Sequence, residues 1–138
     1  MTACLDTNVL VDILNDRRPV VRRRYESELG SERKIVVSSL AAHELMFGAL
    51  ISPKPDLHAE LVRRLLSDHD VAEWTPSDAY AVARLRAQLR REGRTIGSFD
   101  ALMAGQALNR GWTLVTANTR EFSRIEGLAI EDWSRPAA

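Results

Sequence analysis

The chain has 138 residues, enough for one domain, and 138 residues can bury a core without staples. Its apolar fraction of 45% and charged fraction of 28% are those of a globular protein, and no apolar run reaches the ~18 residues that a membrane helix needs. A single cysteine, Cys4, rules out an internal disulfide, and Asp6 interrupts the first apolar run before it could act as a signal segment. The expected location is therefore the cytoplasm. Formal net charge is zero, with 19 basic and 19 acidic residues, yet the basic ones are unevenly placed. Arg17, Arg18, Arg22, Arg23, Arg24, Arg33 and Lys34 form one cluster, and Arg84, Arg86, Arg90, Arg91 and Arg94 another. Arginine forks suit phosphate, so a neutral protein with such clusters can still bind a polyanion; equally, these can be solvated helix faces.

Taken in chain order, Thr2–Leu5 reads as a short strand that stops at Asp6-Thr7-Asn8, with a helix carrying Val9, Leu10, Ile13 and Leu14 after it. A second helix starts at Pro19 and ends at Gly30. Ile35–Val37 is a β-branched strand, followed by Ser38 and Ser39 as candidate N-caps for a helix running to the break at Ser52-Pro53-Lys54-Pro55. Residues 57–67 read as a further helix and Val71–Trp74 as a weak strand. Thr75-Pro76-Ser77-Asp78 is a helix start, with Thr as N-cap and Asp78 standing in for the capping-box glutamate; that helix reaches Glu92. Ser98-Phe99-Asp100 opens another helix, closed by Gly111. Trp112–Val115 is a strand, Thr119–Phe122 a helical turn and Leu128–Ile130 a last strand. Strands alternating with helices predict a central parallel sheet with helices on both faces, and ligands in such folds collect at the carboxyl ends of the strands.

Four positions stand out at those ends. Asp6 follows the first strand, Glu44 lies in the helix after Ile35–Val37, Asp100 opens its helix, and Asn118 with Glu121 follows Thr113–Val115. Clustered carboxylates beside apolar strands repel one another and lose hydration. A hard divalent cation offsets that cost, and magnesium or manganese bound by oxygen ligands activates water and stabilises charge on a phosphodiester. Taken singly, Asp6 or Asp100 serves equally well as a helix cap, and Glu44 as a surface residue. Other chemistries fail on their residues. His43-Glu44 begins H-E-x-x-H, but Phe47 stands where the second histidine belongs. His58 and His69 have no partner at ligand spacing, Cys4 sits inside an apolar strand, and there is neither a P-loop nor a G-x-S-x-G elbow.

Four segments carry a family resemblance. Leu5-Asp6-Thr7-Asn8 with its hydrophobic helix, Ser38-Ser39 through His43-Glu44-Leu45-Met46-Phe47-Gly48, Ser98-Phe99-Asp100-Ala101-Leu102-Met103-Ala104, and Thr113-Leu114-Val115-Thr116 with Asn118 and Phe122 resemble, in order, the motifs of PIN-domain ribonucleases. The tail Gly127–Trp133 resembles the end of VapC toxins from VapBC toxin–antitoxin pairs. The resemblance spans residues 1–138 as a single domain. It implies a PIN-like three-layer α/β/α sandwich and an Mg²⁺- or Mn²⁺-dependent endoribonuclease, a homodimer inhibited by a VapB antitoxin. It implies Asp6, Glu44 and Asp100 as metal ligands, Thr7 and Asn8 as shapers of the turn, and Thr116 as a supporting hydrogen-bond donor. Asn118 stands where many PIN domains have a fourth aspartate, and Glu121 is either the residue that supplies that charge or a surface residue of the helical turn. Arg17, Arg18, Arg22, Arg86 and Arg90 are the expected contacts to the RNA backbone. Two rivals differ in class. A phosphotransferase with Asp6 as nucleophile wants a second acid where Asn8 stands, and a catalytically silent PIN-like module that only binds RNA or protein would be signalled by loss of an acid, whereas three of the four acids are present.

Overall fold

In the computed structural model, which describes residues 1–135, five strands form one parallel sheet in the order β3-β2-β1-β4-β5. The elements run β1 (Ala3–Leu5), α1 (Thr7–Asn15), α2 (Pro19–Leu29), β2 (Ile35–Ser38), α3 (Ser39–Leu50), α4 (Pro55–Ser67), β3 (Asp70–Ala72), α5 (Pro76–Arg91), α6 (Ser98–Arg110), β4 (Thr113–Val115), α7 (Thr119–Phe122) and β5 (Ala129–Glu131). Helices flank the sheet in an α/β/α arrangement, as the alternation of strands and helices predicts. Strands β1, β2 and β4 are buried along their whole length, while the edge strands β3 and β5 are partly exposed. This is why the inner strands read as uninterrupted apolar runs. Among the described residues no helix is long and apolar enough to cross a membrane.

The chain punctuates its helices where side chains can satisfy free backbone N–H groups. Asp6 caps α1 through Thr7 N–H (2.8 Å), and Ser38 caps α3 through Leu40 N–H (3.1 Å). Thr75 and Asp78 form the expected capping box at α5. Gly111 ends α6 in the left-handed region at φ +68°. The boundaries moved slightly from the sequence expectations. α4 begins at Pro55, where proline fits the first helical position, the weak strand lies at Asp70–Ala72, and the last strand ends at Glu131.

Helices α1 to α4 pack on one another, whereas α5 and α6 form a separate antiparallel pair. Two features lock that pair. At one end Asp78 is fully buried and accepts from Arg110 Nη2 (2.9 Å) and Nε (3.0 Å), Asn109 Nδ2 (2.9 Å), Gln106 Nε2 (3.2 Å) and the Thr75 N–H (2.9 Å). Burial alone would raise its pKa, but the Arg110 guanidinium and the amide donors outweigh it and hold the carboxyl well below the usual range. At mid-length Gly105 lets the helices touch. A Cβ added there would stand 2.9 Å from the Val82 Cα, closer than real side chains come to backbone. Gly48 in α3 differs, because a Cβ there meets nothing within 4 Å.

The two glycines therefore predict opposite outcomes in thermal melts. Gly105→Ala overpacks α5 against α6 and costs about 1–3 kcal/mol. Gly48→Ala removes backbone freedom from an open helix position and adds roughly 0.5–1 kcal/mol. Equal melting temperatures for the two variants would contradict the packing described.

Candidate active site

Because all strands are parallel, their carboxyl ends form one edge of the sheet, and helices that start from that edge, such as α1 after β1 and α3 after β2, present their N-termini to it. Asp6 sits at the end of the central strand β1, where its N–H donates to Val115 O of β4 (2.9 Å). Its side chain is only 5% exposed. Oδ1 accepts from Thr7 N–H, and Oδ2 accepts from the Thr116 hydroxyl at 2.9 Å. Burial raises the Asp6 pKa; Thr116 and Thr7 oppose this, and the negative charge of Glu44 adds to it. Glu44 itself is exposed on α3.

Asp100, half-buried in the first turn of α6, has its pKa pushed up to about 6. Burial is the largest cause, followed by the charge on Asp6 and by Glu121, which accepts a hydrogen bond from the protonated Asp100 carboxyl. Glu121 therefore does not face away from the helical turn α7. It lies against Asp100 and accepts from Asn118 Nδ2 at 3.4 Å. Thr116 ties the group together, since its Oγ1 donates to Asp6 and accepts the Asn118 N–H at 3.0 Å.

The structure thus brings Asp6, Glu44, Asp100, Asn118, Thr116 and Glu121 to one edge. Thr7 adds its backbone N–H, and its own hydroxyl is buried without a hydrogen-bond partner among the described residues. Asn8 is exposed on the first turn of α1. Every donor here is an oxygen, which suits a hard cation. Among the described residues no three acids, histidines or cysteines stand close enough to enclose an ion by themselves. An ion held here would take one or two of these carboxylates directly and reach the others through water, a coordination that magnesium accepts.

The arginines divide into two groups. Arg86 and Arg90 lie on the second half of α5, around a cavity that also includes Ile96 and Ala101, beside Asp100. Arg17, Arg18 and Arg22 lie at the far end of α1, some ~14 Å of helix from Asp6. There Arg18 pairs with Asp12 (3.6 Å), while Arg22 pairs with Glu26 (3.3 Å) and donates to Ile13 O (2.9 Å). Arg24 and Arg33 also serve the fold, meeting Glu28 and Glu131 at the partly buried tail.

Two histidines differ from their sequence reading. His58 stands 2.6 Å from Ser52 Oγ and lines a groove with Glu44, and His69 stands 2.6 Å from the Tyr25 hydroxyl. The second contact joins residues 44 apart, which no local pattern signals. Cys4 is buried in β1, and burial pushes its thiol up to about 12, so it is unreactive core.

Comparison with known proteins agrees with this geometry. The PIN-domain family model matches residues 3–128. The chain is 38% identical to the tRNA(fMet)-specific endonuclease VapC of Shigella flexneri, over 94% of this chain and 96% of that protein. It superposes on VapC in the crystal structure of VapBC2 from Rickettsia felis bound to a promoter DNA fragment, with a TM-score of 0.88 and 30% identity over 96% of this chain and 99% of that one. The DNA-bound VapBC of Salmonella typhimurium gives a TM-score of 0.87 and 34% identity over 96% and 98%. A group of acids at the head of a β3-β2-β1-β4-β5 sheet, built from motifs at residues 5–8, 38–48, 98–104 and 113–122, and relatives aligned over nearly their full length lead to one conclusion: the chain belongs to the PIN-domain family, among its VapC ribonucleases.

Proposed function

We propose that this chain is the toxin of a type II toxin–antitoxin pair, an Mg²⁺- or Mn²⁺-dependent endoribonuclease that hydrolyses a phosphodiester bond of transfer RNA. The observation that carries the proposal is the gathering of Asp6, Glu44, Asp100 and Glu121 at the carboxyl edge, with the first and third held above their ordinary pKa. Asp6, Glu44 and Asp100 would hold the cation, directly or through water, and Glu121 restores the charge that Asn118 lacks. A divalent ion bound there acidifies water and offsets charge on the scissile phosphate. Thr7 and Thr116 aim the Asp6 oxygens, and Thr116 fixes the α7 turn that carries Asn118 and Glu121. Transfer RNA is favoured because the Shigella relative is named for tRNA(fMet).

The antitoxin reading has its own support. The groove beside Glu44 has a volume of about 310 Å³ and apolar walls from Val11, Leu14, Leu45 and Val62. It suits an apolar segment of a VapB-type partner, with a basic residue reaching Glu44. Phe47, Leu50 and Ile51 leave further exposed apolar surface, which a homodimer would cover.

Purified chain without antitoxin should cut tRNA in Mg²⁺ or Mn²⁺ and not in EDTA. Thr116→Val, which removes support from a ligand, should lower the rate about 10–100-fold, and Asp6→Asn should lower it further. Cutting that survives Asp6→Asn would place the chemistry elsewhere, and a folded protein that binds metal but cuts no RNA would be a silent binding module.

The raised Asp100 pKa fixes a sign for stability. A carboxyl at 3.8 in the unfolded chain and about 6 in the folded one favours folding when protonated, so stability falls as pH rises across that interval. Without metal, Asp100→Asn should therefore be more stable than the parent at pH 7.5, by on the order of 1 kcal/mol once solvent screening is allowed for. At pH 4 the two should melt together, and Mg²⁺ should stabilise the parent more than the variant. A stability difference independent of pH would contradict the described repulsion.

A further inference from the structure

Eight of the 17 arginines are already occupied. Arg18, Arg22, Arg24, Arg33, Arg63, Arg64, Arg110 and Arg135 each lie within ion-pair distance of a carboxylate. Arg86 and Arg90 are among those that meet none in the described residues, and they differ from the others in lining one cavity together. They sit four residues apart on α5, hence on one helix face, and both border a cavity of about 530 Å³. Ile96 and Ala87 supply its accessible apolar surface over the buried Leu89 and Ala101, and Thr95 adds a hydroxyl. Ala101, one of its lining residues, follows Asp100 directly in the first turn of α6, so the same helix end borders both the cavity and the acids. The volume falls within the range of small-molecule sites, roughly 300–1,000 Å³.

An apolar floor with two uncompensated guanidinium groups on its rim suits one nucleotide. The base can leave the strand and lie on the floor, while the planar forks take the adjoining phosphate or stack on the ring. An apolar protein segment is less well matched, because burying two arginines without carboxylates to meet them costs more than apolar contact on this small floor returns.

We propose that this cavity is a nucleotide subsite: it seats one unstacked base of the RNA next to the cleaved bond and holds the neighbouring phosphate through Arg86 and Arg90. The subsite rests on the nuclease reading of the adjacent acids and adds what that reading lacks, a device that sets where along the strand the cut falls. Duplex RNA, whose bases stay stacked, cannot fill it.

The test is binding of a short fluorescein-labelled single-stranded RNA to the full chain in EDTA, followed by anisotropy at several salt concentrations. Arg86→Ala with Arg90→Ala should weaken binding about tenfold and lower the slope of log K against log salt by about 0.7, the value for one lost phosphate contact on a single strand. Ile96→Ser should weaken binding of the normal strand but not of an abasic one, a difference that a general loss of folding would not produce. Arg63→Ala with Arg64→Ala, on the surface of α4, should stay within twofold of the parent. Unchanged affinity and slope in the α5 double variant would overturn the subsite, as would a change confined to its oligomeric state. Cleavage of tRNA in Mg²⁺ is read in parallel. A parent that cuts while its α5 variant binds like the parent rejects the subsite alone, and a parent that neither binds nor cuts rejects the nuclease reading with it.

Discussion

The structure depends on a carboxylate kept at the end of a buried strand. Asp6 closes β1, which lies in the middle of the sheet, and no neighbouring cation of the chain compensates its charge. Two hydrogen bonds to a charged group stabilise it by roughly 1.5–3 kcal/mol each, against a burial cost of several kcal/mol per ion. The balance leaves its pKa raised, which is the signature of an incomplete site. The surrounding elements serve that residue. α1 begins on it, β4 reaches it through Val115 O and Thr116, and α6 and α7 bring further oxygen ligands to the same edge.

A second buried aspartate shows what a purely structural acid looks like in the same chain. Asp78 is less exposed than Asp6, yet its pKa moves the other way, because Arg110 and three amide donors meet both its oxygens. Burial acts on both groups in the same direction, so the difference lies in the partners. One acid is neutralised inside the chain and pins α5 to α6. The other is left for something outside the chain. Strong electrostatic cost retained at the head of a parallel sheet is the physical mark that separates function from architecture here.

Much of this was legible in the sequence, because the decisive signals are local. Asp after a strand, Ser38 before a helix, the Thr75–Asp78 capping box and Gly111 each act over a few residues, and the structure has them where the pattern predicts. The parallel sheet then follows from the alternation of elements, and with it the edge that collects Asp6, Glu44, Asp100 and Asn118. What the sequence left open depends on distant contacts. Glu121 reads equally well as a surface residue until α7, packed on β5, brings it to Asp100. Arg24 and Arg33 look like members of a nucleic-acid patch until the chain returns at Glu131, some hundred positions later, to meet both. Arg17, Arg18 and Arg22 are close to Asp6 in sequence, but the intervening helix carries them to its far end. Arg86 and Arg90, distant in sequence, are brought to the start of α6, around Ala101, by the α5–α6 pairing.

The central claim is that the repelling acids form a cation site, and the position of a bound ion tests it most directly. Crystals of the chain soaked in Mn²⁺ would show that ion by its anomalous scattering. The account predicts a peak at the carboxyl edge, within direct or water-bridged reach of Asp6, Glu44 and Asp100, and loss of that peak in Asp6→Asn. Ordered manganese elsewhere with an empty edge, or a peak that persists without the Asp6 carboxylate, would contradict it.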